Sequence, residues 1–384
     1  MVSLPFRVIN CPSHSYSLRD GHGRFLPSTQ KLPTSGVEYW LQSCQTHGIS
    51  RGVGVCSLRS IARATLVNYQ KCFRKFSTWI HKWKNDYSKV TVTAISDFLL
   101  FLFNSETPSG NKYTGEALNT YRSAIAYFMK LDFPNLASHP ALSRLFESFY
   151  KIRPTFPRYP VTWDVGKVLK YLATWHPPSS LTLKKLTLKT VALIALTSCD
   201  RAQTIHALRV DKVSVTPQGL EFVIFDLLKT SRRGHPAKVV KCVSWDAEEL
   251  DVAYYVQKYI DKTFSLRWRA YRKGLGKPVQ LFLSHKTGLP VSKSTISRWL
   301  KEVMKMSGID TDTFLPGSTR GASVSAAARR GASMSQILKA GDWSNLGTFQ
   351  RFYHRTLEDT PVGRLILEGA TVSSSILCYN INHF

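Results

Sequence analysis

The sequence predicts a mainly α, two-domain protein: a helical domain, then an α+β domain with a small antiparallel sheet. Three observations predict it. Apolar residues recur at helical spacing over residues 61–151. Residues 153–160, RPTFPRYP, hold three prolines in eight positions. Beyond them, three β-like runs interrupt a chain that otherwise reads as helix.

Residues 1–57 are rich in Ser, Gly, Pro and His without a sustained period, and read as a flexible arm. Over 61–84, Ile61, Leu66, Tyr69, Phe73, Phe76, Ile80 and Trp83 fall at near-helical spacing. Arg63, Lys71, Arg74 and Lys75 decorate that helix as candidate DNA contacts, with ordinary solvation as the alternative. Further helices fit 95–103, 117–129 and 140–151. The second of these has Leu118, Tyr121, Ile125 and Phe128 on one stripe and Arg122 off it, while Pro140 suits the first turn of the third. The helical domain therefore spans 58–152. Proline fixes φ and turns the preceding residue away from helix, so 153–161 is a stiff extended linker. Residues 162–384 form the second domain. It opens with a helix after Thr162 and an apolar helix over 186–196. The β-like runs are 212–215, 220–228 and 238–243, turned at Pro217-Gln218-Gly219 and at 231–236, which makes a meander. Helices follow over 252–264, 292–306, 320–330, 334–340 and 348–353.

Lysine and arginine number 52 against 25 acidic residues, a formal charge of +27. Such an excess repels itself unless the partner is a polyanion or an anionic surface. Nucleic acid leads, with a ribosomal-type or membrane-surface protein as the alternatives. No signal-peptide core opens the chain and no apolar run could span a bilayer, so an intracellular protein, nuclear or cytoplasmic, is expected. The seven cysteines, Cys11, Cys44, Cys56, Cys72, Cys199, Cys242 and Cys378, show neither CxxC nor His-paired spacing. They read as reduced thiols, with no metal site and no cofactor. Cys199 reads as a small buried side chain.

Four segments stand out in the second domain. They are ALTSCDRAQTIHAL with Arg201, FDLLKTSRRGHPAKVV with Lys229, GSTRGASVSAAARRG with Arg320, and GDWSNLGTFQRFYHR with Trp343 and Tyr353. An arginine after a helix, a lysine in a β-hairpin, HxxR, His or Trp, then Tyr is an ordered pattern that resembles the tyrosine recombinase (phage-integrase) family. The RPxxPRYxxTWD connector, the LTLKTVALIALTS helix, the RAQT and KTSR runs and the WSxxxTFxRFY ending resemble the recombinases of DIRS-like retrotransposons. The likeness covers about residues 60–360. It implies a SAM-like core-binding domain and an α+β catalytic domain closing on double-stranded DNA as a C-shaped clamp. It also implies a homo-tetramer on DNA, with 362–370 a candidate docking segment, and neither a membrane nor a small-molecule substrate.

Breaking a phosphodiester without metal needs an oxygen nucleophile, donors for the non-bridging oxygens and an acid for the leaving 5′ oxygen. The resemblance assigns these to Tyr353, to Arg201 and Arg320, and to Lys229, with the Trp343 indole as a further donor. Arg232, Arg233 and Lys238 lie near Lys229, and any of them could be the acid or a phosphate tether. Arg232, Arg233, Lys293 and Arg298 are further candidate DNA contacts. Two positions depart from the pattern. The HxxR histidine, which accepts the tyrosine proton or bonds the phosphate, is replaced by Gly317. Glycine can do neither, so impaired turnover is expected. Glycine there also suits a positive-φ turn, where a histidine is strained by roughly 1–2 kcal/mol. The acid three residues after the first arginine is replaced as well, by Thr204. Site-specific cleavage and rejoining through a 3′-phosphotyrosine, serving integration of a mobile element, is the leading function. A DNA-binding protein that no longer cuts is the first alternative and a type IB topoisomerase-like enzyme the second. A DDE transposase ranks last, because acidic residues are sparse.

Overall fold

A computed structural model of the protein describes residues 32–82, 90–156, 158–229, 231, 233–276, 278–343 and 347. The chain divides into two compact units, Met1–Phe156 and Pro157–Phe384, with the division inside the proline-rich stretch.

The first unit is helical: α1 (Gly36–Thr46), α2 (Arg51–Ser57), α3 (Arg63–Lys82), α4 (Val92–Asn104), α5 (Gly115–Phe128) and α6 (Pro140–Ile152). Its core is aromatic. Phe73 meets Phe76 and Phe128 edge-on at centroid separations of 6.0 and 5.4 Å, and Phe76 meets Phe98 at 5.2 Å. Such geometry lets ring edges face ring faces and adds to the burial of four large side chains. On the outside of α3, Arg63, Lys71, Arg74 and Lys82 are exposed on the side opposite Phe73, Phe76 and Ile80. Arg153, the first residue of the expected linker, is anchored here: its guanidinium lies 4.2 Å over the Phe103 ring and donates to the Tyr113 carbonyl at 2.9 Å.

The expected arm of residues 1–57 is helical from Gly36 onwards. Ser35 caps α1 through the Glu38 amide, and Leu41 and Cys44 are buried. Tyr39 and Ser43 donate to the Asp132 carboxylate at 2.9 and 2.8 Å. Gly36 lies flat against the Phe128 ring, where any Cβ would collide, so glycine at this position marks close packing rather than looseness. The spacing Ser35-x-x-Glu38 is the signal that reveals this helix.

The second unit holds α7 (Val165–Ala173), α8 (Leu183–Ser198), α9 (Ala202–His206), β1 (Val213–Thr216), β2 (Gly219–Ile224), β3 (Lys238–Val243), α10 (Val252–Arg272), α11 (Lys293–Met306), α12 (Ser318–Arg329) and α13 (Met334–Gly341). The sheet is an antiparallel meander in the order β1-β2-β3. Leu220, Phe222 and Ile224 face the core with Val240 and Cys242 opposite, while Glu221 and Lys241 pair at 2.6 Å on the outer face. The mainly α architecture with one small antiparallel sheet is the predicted fold class. Two boundaries differ. β2 ends at Ile224 rather than 228, because β3 offers no partner before Lys238 and Phe225 and Leu227 are left exposed. α10 continues to Arg272 rather than 264, because Thr263, Arg267 and Ala270 prolong its buried side. Arg267 donates to the carbonyls of Pro278, Gln280 and Leu281 at 2.8, 2.7 and 2.6 Å, so both terminal nitrogens of a buried guanidinium find partners without a carboxylate.

From Leu186 to Leu196 α8 is buried all round, and it packs against α10, α11 and α12. Inside it, Lys189 is fully buried, donating to the Trp175 carbonyl at 2.7 Å with its ammonium 3.9 Å over the Tyr255 ring. Burial lowers its pKa to about 8, against an opposing pull from Glu249. The unfolded chain therefore holds a proton that the folded chain releases between about pH 8 and the ordinary lysine range. Stability should rise with pH across that window and carry the full penalty below it. Lys189→Met removes this slope. Urea denaturation at pH 7.5 and pH 9.5 should show wild type gaining on the variant by roughly 1–2 kcal/mol; parallel behaviour would refute it.

Candidate active site

The apolar helix α8 ends at Cys199, which takes a left-handed conformation (φ 56°) that side chains other than glycine rarely adopt. The chain turns sharply there, buries Asp200, and starts α9 with Arg201 as its N-cap. The Cys199 side chain packs with Val324 of α12 and Ile337 of α13, which pins this corner to both helices. Burial, reinforced by the charge of Asp200, pushes its thiol up to about 11, so it behaves as a packing residue rather than a nucleophile. Arg201 is half-buried, and none of the described residues accepts a hydrogen bond from its guanidinium.

Arg320 arrives on α12, whose Ala322, Ser323, Ser325 and Ala326 are buried and small enough to let it approach α8 and α13 closely. Its side chain is 4% exposed, donates to the Gly341 carbonyl, and lies 4.2 Å over the Trp343 ring. The indole is thus a platform for the arginine as well as a candidate phosphate donor. The turn that precedes Arg320 is held from the start of the unit. Tyr159 accepts the Leu315 amide at 3.1 Å, and Trp163 donates to Ser318 Oγ at 2.9 Å.

Lys238, at the start of β3, reaches the same place. Its ammonium is 3.4 Å from Asp200 Oδ1 and donates to the Ala340 carbonyl at 3.2 Å. Burial raises the Asp200 carboxyl above its ordinary value, while Lys238 and Arg320 pull it down. Lys229 is exposed in the β2–β3 connection, as is Arg233. The structure therefore brings together Arg320, Trp343, Asp200 and Lys238, sets Arg201 next to Asp200 at the start of α9, and leaves Lys229 at the surface. It adds Asp200, which the sequence pattern does not single out, and Lys238, which had figured only as a neighbour of Lys229. Their signal was a carboxylate directly before the first arginine and a lysine opening the returning strand.

Gly317 is in the right-handed helical region (φ −65°, ψ −19°), is exposed, and a Cβ there would meet nothing within 4 Å. The positive-φ turn expected there is absent, because the chain is already helical when it reaches α12. Tyr353, Arg232, the helix expected over 348–353 and the segment 362–370 lie outside the described residues. Among the candidate DNA contacts, Arg63, Lys71, Arg74, Lys293 and Arg298 are exposed. Lys75 is engaged by Tyr113, with its ammonium 4.7 Å from the ring centre, and donates to its hydroxyl. Arg122 lies 4.4 Å over Phe146 and donates to Asn119 at 2.7 Å. Both hold the first unit together whatever else they touch. Among the described residues, no group of three or more His, Cys, Asp or Glu side chains could hold a metal, and no helix is long and apolar enough to cross a membrane.

No family model and no curated protein matches the sequence. Solved structures do match. The XerH site-specific recombinase bound to palindromic difH substrate, a post-cleavage complex, is 13% identical with a TM-score of 0.51, over 89% of this chain and 97% of that one. The pre-cleavage complex of XerH with difH substrate is 12% identical with a TM-score of 0.50, over the same shares of the two chains. The chain has the fold of a site-specific recombinase. Within that fold, the described cluster lies on α8–α9, β3, α12 and the end of α13, elements spread over more than a hundred residues of sequence.

Proposed function

We propose that the chain cleaves and rejoins double-stranded DNA site-specifically through a 3′-phosphotyrosine. The Tyr353 hydroxyl oxygen attacks phosphorus as its proton passes to solvent water, the bond between phosphorus and the 5′ oxygen breaks, and Lys229 gives its proton to that departing oxygen. Arg201 and Arg320 neutralise charge on the non-bridging oxygens, and the Trp343 indole donates to one of them. The reverse attack by a 5′ hydroxyl expels Tyr353, so the phosphodiester is restored without a nucleotide cofactor. The observation that carries this reading is the placement of Arg320: a guanidinium buried on an indole beside the Asp200–Arg201 corner. Guanidinium fits paired phosphate oxygens as an ammonium cannot. The DIRS-like wording supports integration of a mobile element, in the nucleus or cytoplasm, by a homo-tetramer on DNA.

Gly317 favours a second reading, a DNA-binding protein of the same fold that cuts slowly or not at all. Both readings require duplex binding. With a charge of +27, affinity should fall log-linearly with salt, with a slope of about −0.9 for each phosphate neutralised and several neutralised in all. Fluorescence anisotropy from 50 to 300 mM salt (roughly the range in which counterion release is resolved) tests it. A flat dependence, or preference for anionic vesicles over duplex at equal ionic strength, contradicts both readings.

A further inference from the structure

We infer that Asp200 and Lys238 are positioning residues, a partly buried ion pair that fixes the β2–β3 hairpin, and with it Lys229, against the Arg320 side of the site. The inference rests on the cleavage reading above and extends it to two residues that touch no DNA in that reading. Lys238 is where three elements meet. It belongs to β3, the strand by which the hairpin returns. Its ammonium is 3.4 Å from the carboxylate of Asp200, the residue before Arg201. It also donates at 3.2 Å to the carbonyl of Ala340, near the end of α13 and three residues before Trp343.

The neighbouring carbonyl, that of Gly341, accepts from Arg320. Two cations therefore close the last turn of α13, whose carbonyls have no partner within the helix and carry its negative end. Brought so close without a counter-charge, they would repel. Asp200, with its side chain only 5% exposed, supplies that charge from the corner between α8 and α9. Lys238 is held at both ends, while Lys229, nine residues earlier, is exposed in the connection. A hairpin anchored at one strand base can present its tip lysine at a repeatable height above Arg320. Unanchored, that lysine samples many positions, and a misplacement of about 1 Å costs roughly 100-fold in rate.

The test uses the full chain, a suicide duplex and the same duplex with sulfur replacing the 5′ bridging oxygen. A thiolate leaves without being protonated, so the sulfur substrate needs no acid. Asp200→Asn and Lys238→Met should slow adduct formation at saturating oxygen substrate by roughly 10- to 100-fold, with little change in duplex affinity. The sulfur substrate should restore both to within a few-fold of wild type, as it should for Lys229→Ala, and Lys238→Arg should keep most of the rate. Equal losses on both substrates, or no loss on either, overturn the inference. Amide hydrogen exchange across residues 338–343 separates its failure from that of the cleavage reading. Unchanged exchange in both variants overturns the ion-pair latch whether or not DNA is cut. Faster exchange in both, with no adduct from any variant, supports the latch and overturns the cleavage reading.

Discussion

Gly317→His is expected to raise the rate of covalent adduct formation by roughly two to three orders of magnitude, the usual worth of one transition-state donor or proton acceptor. The backbone allows it. Gly317 has ordinary right-handed angles, the position is exposed, and a Cβ meets nothing within 4 Å. Stability should therefore stay within about 0.5 kcal/mol of wild type, as for a surface substitution, and duplex affinity should hardly change. The gain belongs to the chemical step, at saturating DNA. A wild type already as fast as the variant would show that Gly317 is no lesion and that water or another side chain does the histidine's work. A folded variant and a wild type that both stay inert would favour the non-cutting reading.

Arg320→Lys should lower adduct formation by roughly 100- to 1,000-fold. Lysine keeps the positive charge that Asp200 faces, so the buried carboxylate is not left with Lys238 alone. What it loses is the planar fork, which donates to the Gly341 carbonyl and lies on the Trp343 ring. An ammonium cannot hold those contacts and also offer paired donors to a phosphate. Affinity for duplex DNA should fall much less, because most of the exposed positive charge lies elsewhere, on Arg63, Lys71 and Arg74 among others. Single-turnover rates alongside anisotropy separate the two effects. A rate loss no greater than the affinity loss would place Arg320 among ordinary phosphate tethers.

The sequence made the helical body legible because its apolar stripes are long: α3, α4, α5, α6, α8 and α11 all follow them to within a few residues. It hid α1 because that helix is rich in small and polar residues and draws stability from a cap at Ser35, a glycine under Phe128 and hydrogen bonds to Asp132. It placed the end of β2 wrongly because apolar content cannot say where a partner strand stops. In the candidate site, Arg201, Arg320, Trp343 and Lys229 stood out through the resemblance to the recombinase pattern. Asp200 and Lys238 did not, because an ion pair joining residues 38 apart has no local pattern. The backbone at Gly317 was equally out of reach, since a glycine permits both signs of φ and only the surrounding helix decides.

Covalent attack by Tyr353 is tested by trapping the adduct. Wild type, Gly317→His and Tyr353→Phe are incubated with nicked suicide duplexes of randomised sequence, resolved on a denaturing gel, and any adduct is digested and mapped by mass spectrometry. A nucleotide is expected on the peptide containing Tyr353, faint in wild type, strong in Gly317→His and missing from Tyr353→Phe, which still binds duplex. An adduct on another tyrosine, one that survives Tyr353→Phe, or none from a Gly317→His protein that is folded and saturated with DNA would contradict it.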